Sequence, residues 1–148
     1  MKKDFKIIDG DAHMHEPMDI WEKYTESAYR ERIPKVNGHV LRSIFTYGPC
    51  EIFPEGQAAR LSSEVFEDME ERYGDAYRSW WSLSSRLQHM DQEGVDFQVC
   101  FPTSGGIATS GEIKDSKLQA ALIRAYNNWA IEFCHGSSGR VRFIGQVS

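Results

Sequence analysis

The sequence predicts an α/β fold in which parallel strands are joined by helical crossovers. Three observations carry that reading. Strand-like stretches stand at residues 5–15, in "VDFQVCFP" and in "RVRFIGQVS". Apolar residues at steps of three and four, the period of a helix, recur in the chain between them. The connections are also far too long for hairpins, and long crossovers are what parallel neighbours need.

Taken in order, residues 5–15 place Phe5, Ile7 and Ile8 ahead of a polar end. Trp21 and Tyr24 mark a short amphipathic helix over 18–32, ended by Pro34, which disfavours helix in the residue before it. Residues 35–75 read as an irregular insertion punctuated by Gly and Pro. Within it, "HVLRSIFTYG" suggests a hairpin and "SSEVFEDMEERYGD" an acidic helix closed by Gly74. Trp80, Leu83, Leu87 and Met90 recur at steps of 3, 4 and 3, predicting a helix over 77–93 with Gly94 at its C′ position. Val95, Phe97, Val99 and Phe101 then alternate as a strand up to Pro102. A loop through Gly105 and Gly106 lacks the Lys and spacing of a phosphate loop and reads as an ordinary strand-to-helix connection. It leads to "SKLQ", a capping box with Ser116 as N-cap and Gln119 at N3. Leu118, Leu122, Ala125, Trp129 and Phe133 form one helix face running to Gly136, and "RVRFIGQVS" supplies the last strand. Trp80, Trp81 and Trp129 are expected in the core between helices and sheet, and Asn127 and Asn128 in local hydrogen bonds at a helix edge.

Composition narrows the function classes. The chain has 148 residues, enough for one domain with a respectable core. With 26% charged and 41% hydrophobic residues it belongs with folded, soluble chains. A net charge of −5 and no basic run beyond "MKK" argue against a nucleic-acid partner. No apolar stretch approaches the roughly 18 residues of a spanning helix, and "MKKDFKIIDGD" lacks the apolar core of a secretory signal. Cys50, Cys100 and Cys134 are odd in number and lack CxxC spacing, which suits free thiols in a reducing, cytoplasmic setting. Cys134 and His135 are neighbours on a helix and point about 100° apart, so they read as a buried thiol and a helix-end histidine.

The chemistry concentrates in "IIDGDAHMHEP". On a strand, side chains two apart share a face, so Asp11, His13 and His15 point the same way. Two imidazoles roughly 6.6 Å apart along a strand can converge on one ion. Imidazole suits zinc and its neighbours, with carboxylates as further ligands or as anchors for the rings. His39, His89 and His135 have no such company and read as structural.

"IIDGDAHMHEPMDIWEKY" resembles the N-terminal signature of the amidohydrolase-related proteins. That branch of the amidohydrolase superfamily holds metal-dependent hydrolases and the aminocarboxymuconate-semialdehyde and resorcylate-type decarboxylases. "RLQHMDQEGVDFQVCFPT" is similar to the family's helix and second strand, and "LIRAYNNWAIEFCHGSSGRVRFIGQV" to the next helix and third strand. Residues 35–75 match nothing in the pattern.

The resemblance implies the N-terminal part of a metal-dependent (β/α)8 TIM barrel. Residues 1–148 would form a single partial domain of about three parallel strands with crossover helices and an insertion after the first strand. It implies that His13 and His15 hold a divalent metal, zinc ahead of manganese, at the barrel mouth. An acid-x-His version of the motif, found in some members, would select Asp11 and His13 instead. Members usually add a histidine from a middle strand and an aspartate from the last. A full barrel takes about 250 residues, so the catalytic groups are expected beyond residue 148.

The implied activity is an amidohydrolase-type hydrolysis, in which metal-activated water attacks an amide, ester or lactone carbonyl of a small organic acid. Non-oxidative decarboxylation of an aromatic or semialdehyde carboxylic acid would use the same pair. A third reading is an inactive fragment or partner subunit. The expected partners are a small-molecule carboxylic acid or amide/ester substrate, with neither nucleic acid nor membrane. Homo-oligomerisation, or association with another chain along the unfinished sheet edge, is the macromolecular expectation.

Overall fold

A computed structural model describes residues 5–17, 19–33, 36–37, 44–47, 57–60, 63–109 and 113–147. His39, Cys50 and the turn of the hairpin expected around 39–48 lie outside the described residues. In chain order come β1 (Ile8–His13), α1 (Ile20–Tyr24), a 3-10 turn (Ser27–Tyr29), β2 (Val36–Asn37), β3 (Ile44–Tyr47) and β4 (Gln57–Arg60). Then follow α2 (Ser63–Arg78), α3 (Leu83–Glu93), β5 (Phe97–Phe101), a 3-10 turn (Ser104–Thr109), α4 (Ser116–His135) and β6 (Val141–Phe143). Strands β1, β5 and β6 form one parallel sheet in that order. Strands β2, β3 and β4 form a separate antiparallel sheet. The main sheet with helices between its strands is the predicted α/β architecture, part of a β/α barrel.

β1 begins where the carboxylate of Asp96 accepts the Ile7 N–H (2.9 Å) and pairs with Lys6 (2.9 Å). It is shorter than the 5–15 read from the sequence, and it contains a bulge. Asp9 pairs with Gln98 but Ala12 with Cys100, so β1 carries one more residue than β5 over that interval. An extra residue reverses the face on which the following side chains lie. Ala12 therefore falls under the helices with Cys100 and Val141, while His13 sits opposite Phe101 on the face that leaves Ile8 and Phe97 exposed. Without the bulge His13 would point into the core.

The core lies between this sheet and α1, α3 and α4. Leu118, Leu122, Ala125 and Trp129 are buried along α4 as the spacing predicts, joined by Tyr126, Met14, Trp21, Met90 and Val141. α3 ends in the predicted C-terminal motif. Gly94 adopts φ +73°, Val95 N–H donates to the Met90 carbonyl (2.8 Å) and Gly94 N–H to that of Asp91 (3.3 Å).

Several elements differ from expectation, each for a local reason. The 18–32 helix stops after Tyr24, because Thr25 is extended and its carbonyl is taken by Arg30 Nε (3.2 Å); a separate 3-10 turn follows. The insertion at 35–75 is not irregular where described. Val36–Asn37 pair with β3, β3 pairs with β4, and α2 begins at Ser63. Cross-strand partners supply what local pattern cannot show. Gly74 kinks α2 (φ +46°) instead of closing it, and Arg78 bridges back to Glu70 (3.1 Å) and Asp75 (2.6 Å).

The helix predicted over 77–93 starts only at Leu83. Trp80 and Trp81 take positive φ (52° and 48°), and the Ser82 side chain caps α3 by accepting from Ser85 N–H (3.4 Å). At the head of α4 the cap is Asp115, not Ser116. Its carboxylate accepts the N–H groups of Lys117 (2.8 Å) and Leu118 (3.3 Å) and pairs with Arg32 (2.7 Å). The Arg32 guanidinium and those two bonds hold the Asp115 carboxyl below the usual range. Asn127 is no local bonder either, since it exchanges two 2.9 Å hydrogen bonds with the backbone of Gln146.

Gly105 marks a close approach. A Cβ there would meet Tyr126 Cδ2 at 2.5 Å and Glu16 Oε1 at 2.8 Å, whereas one on Gly106 would meet open space. Gly105→Ala should therefore cost about 1–3 kcal/mol in urea unfolding, with Gly106→Ala within about 0.5 kcal/mol of the parent. Equal effects would contradict the packing described. Among the described residues no helix is long and apolar enough to cross a membrane.

Candidate functional site

The polar ends of β1 and β5 meet at the C-terminal edge of the parallel sheet, where ligands of α/β folds characteristically bind. His13 ends β1 on the uncovered face. Its Nδ1 lies 3.2 Å from Thr103 Oγ1, and its ring stands 6.1 Å from that of Phe101. The His13 carbonyl accepts from Arg86 (2.7 Å), whose guanidinium also reaches Gln98 Oε1 (3.0 Å) and Cys100 Sγ (3.7 Å). Arg86 is thus a buried bracket joining α3 to both strands.

His15 follows the strand and is half-buried. Its ring stacks on Trp81 at 4.4 Å and 15° and meets Trp80 edge-on at 6.3 Å. Burial first, then the Arg86 guanidinium and then His13, push its pKa down to about 4. The ring is neutral at pH 7, the form a metal ligand requires. The sequence placed Trp80 and Trp81 in the core between helices and sheet; they instead turn beside His15, and Trp80 Nε1–H donates to the Glu16 carbonyl (3.1 Å). Left-handed backbone at two consecutive tryptophans costs of order 1–3 kcal/mol each. Such strain persists where packing demands it, here around an imidazole.

Glu16 is buried beneath the site. Its carboxylate accepts the N–H of Thr103 (2.9 Å), the N–H of Ser104 (3.1 Å) and the Ser104 hydroxyl (3.1 Å). The loop after β5 is therefore clamped to the end of β1. Tyr126 packs close by with its hydroxyl buried and unpartnered, and burial pushes that phenol's pKa upward.

Asp11 lies in the bulge, exposed; its N–H donates to Asp9 Oδ1 (3.1 Å). Asp9 is occupied by that bond and by Gln98 Nε2 (3.1 Å). For a divalent cation the fit is half a site. Two imidazoles are suitable donors, but among the described residues no three of His, Cys, Asp and Glu gather to hold an ion. Catalytic zinc usually has about three protein ligands.

Elsewhere, a cavity of about 330 Å³ is lined by Asp9, Trp81, Arg86, His89, Glu93 and Gln98, without His13 or His15. Burial, before smaller charge effects, raises the Cys134 thiol to about 11. Burial thus disfavours its thiolate, and His135 is exposed at the helix end.

No family model matches the chain, and no curated protein does. Among solved structures, the chain is similar to a crystal structure of an amidohydrolase from Mycobacterium avium subsp. paratuberculosis K-10. The TM-score is 0.63 at 15% identity, over 99% of this chain and 44% of that one. That likeness establishes the fold as part of a β/α barrel. The chain spans less than half the length of the solved structure it matches.

Sequence reasoning singled out His13 and His15. It passed over Glu16 and Arg86. Alternation did hold a signal: Met14 and Glu16 fall on the face opposite the two histidines. The partners of the Glu16 carboxylate are 87 or more residues away, and the Arg86–His13 contact spans 73, beyond any local pattern.

Proposed function

We propose that this chain carries the opening part of a metal-dependent amidohydrolase-type active site, with His13 and His15 as two ligands of a divalent cation. One observation carries the reading: His13 closes β1 and His15 follows two residues on, at the C-terminal end of a parallel sheet, neither bonded to an acid among the described residues, one braced by Thr103 and the other by Trp81. The cation, zinc ahead of manganese, would supply Lewis acidity toward water and toward a substrate carbonyl. The chain's own residues set the stage. Trp81 orients His15, Glu16 fixes the loop bearing Thr103, and the Phe101 ring offers an apolar wall.

The substrate class is a small organic acid bearing an amide, ester or lactone carbonyl. The remaining ligand and the general base belong to further β/α units. Exposed Ile8, at 64%, with Phe97 and Phe101 exposed on the same sheet face, supports such units covering it as the inside of a barrel. The unpaired Cys100 and Cys134 suit a reducing cytoplasmic compartment.

The test is elemental analysis with zinc titration. Near-stoichiometric metal, with binding weakened at least about tenfold (1.4 kcal/mol) in His13→Ala and in His15→Ala, supports the centre. Binding that survives both substitutions would remove it. With the longer protein, hydrolysis products support the assigned reaction, and CO2 release would instead mark a carboxy-lyase. Sizing chromatography tests the open face, since a second copy covering it would replace the further units.

A further inference from the structure

Thr103 has a bonding pattern that leaves little freedom to His13. Its hydroxyl lies 2.7 Å from the Met14 carbonyl oxygen and 3.2 Å from His13 Nδ1. A carbonyl oxygen only accepts, so the single hydroxyl proton must point to Met14. Toward His13 the oxygen then offers a lone pair, and only a protonated Nδ1 can meet it. The backbone holds both partners in place. Met14 N–H donates to the Phe101 carbonyl (2.8 Å), and Thr103 N–H is gripped by Glu16 (2.9 Å). The hydroxyl's position is therefore set before the ring arrives.

We propose that Thr103 is a positioning residue that locks His13 in its Nδ1–H tautomer and presents Nε2 as a free lone-pair donor on the open face of the sheet. An unconstrained imidazole in water prefers the opposite tautomer, and the hydrogen bond at one ring nitrogen decides what the other can do. Metal-bound histidines typically donate their second ring N–H to a protein oxygen. Thr103 serves as that oxygen here, relayed to the core through Glu16 and Met14. The inference deepens the metal-centre reading, and its importance to function rests on it; the tautomer itself does not.

The experiment records the ring nitrogens of His13 by 15N–1H correlation NMR on the metal-free chain, above the pH at which the ring protonates. Parent protein should show Nδ1–H, Thr103→Val should revert His13 to Nε2–H, and Thr103→Ser should restore Nδ1–H. A merely structural role would not produce rescue by serine alone. Zinc affinity, titrated in parallel, should fall about 10–100-fold in the valine variant and recover in the serine variant. Should Thr103→Val fail to fold by circular dichroism, Thr103→Ala against Thr103→Ser carries the same comparison. Nε2–H in the parent, or Nδ1–H unchanged in the variant lacking the hydroxyl, overturns the assignment. The predicted tautomers with no zinc bound by any chain would uphold Thr103's role and sink the metal centre instead.

Discussion

Trp21→Ala is expected to remove about 3–5 kcal/mol of folding stability, the range for truncating a buried tryptophan. Trp21 is 1% exposed and belongs to the buried cluster that includes Leu118, Leu122 and Trp129 of α4. α1 has five residues, and its N-cap Asp19 makes no side-chain capping bond. Isolated helices of that length do not persist in water. What holds α1 is burial of Ile20 and Trp21, since the ties from Tyr24 to Glu132 (2.8 Å) and Arg124 to Glu26 (2.7 Å) are exposed. Exposed pairs contribute little. Amide exchange in residues 20–30 should accelerate sharply in the variant, and Trp21→Phe should recover much of the loss. A fall below about 1 kcal/mol in urea unfolding would show that α1 docks by other means.

Glu16→Ala follows, at about 2–4 kcal/mol. Glu16 is 2% exposed, and its carboxylate receives two backbone N–H groups and a hydroxyl from the loop after β5. Hydrogen bonds to a charged group contribute about 1.5–3 kcal/mol each. Partial rehydration of Thr103 and Ser104, both exposed as residues, keeps the sum below three full bonds. Glu16→Gln retains one acceptor oxygen and should lie between alanine and parent. Because Thr103 is anchored through Glu16, the alanine variant should also broaden the His13 ring signals. Stability within about 0.5 kcal/mol of the parent would mean that the clamp is not needed by the fold.

Local periodicity found what depends on local periodicity. The alternation before Pro102, the apolar face of α4 and the glycine after Glu93 all correspond to observed elements. Where a neighbour far along the chain decided the outcome, the reading slipped. Asp115 displaced Ser116 as cap while also pairing with Arg32, 83 positions away. The helix expected from residue 77 broke because Trp80 and Trp81 turned toward His15 and the Glu16 carbonyl, 64 positions from Trp80. Residues 36–60 resolved into an antiparallel sheet where described, through cross-strand pairing that no single stretch encodes.

The sequence by itself determined the order of the α/β units and the spacing of two imidazoles two residues apart, one closing the first strand and the other just past it. Both follow from the fixed repeats of strand and helix, which every residue carries with it. The tertiary structure alone decided which face of the sheet the first of those imidazoles, His13, occupies, through one extra residue between Asp9 and Ala12. It alone supplied the threonine, glutamate, arginine and tryptophan that brace them. A strand's face is settled by register with its partner, and a brace by contact across distant segments, so neither is written in the spacing of nearby residues.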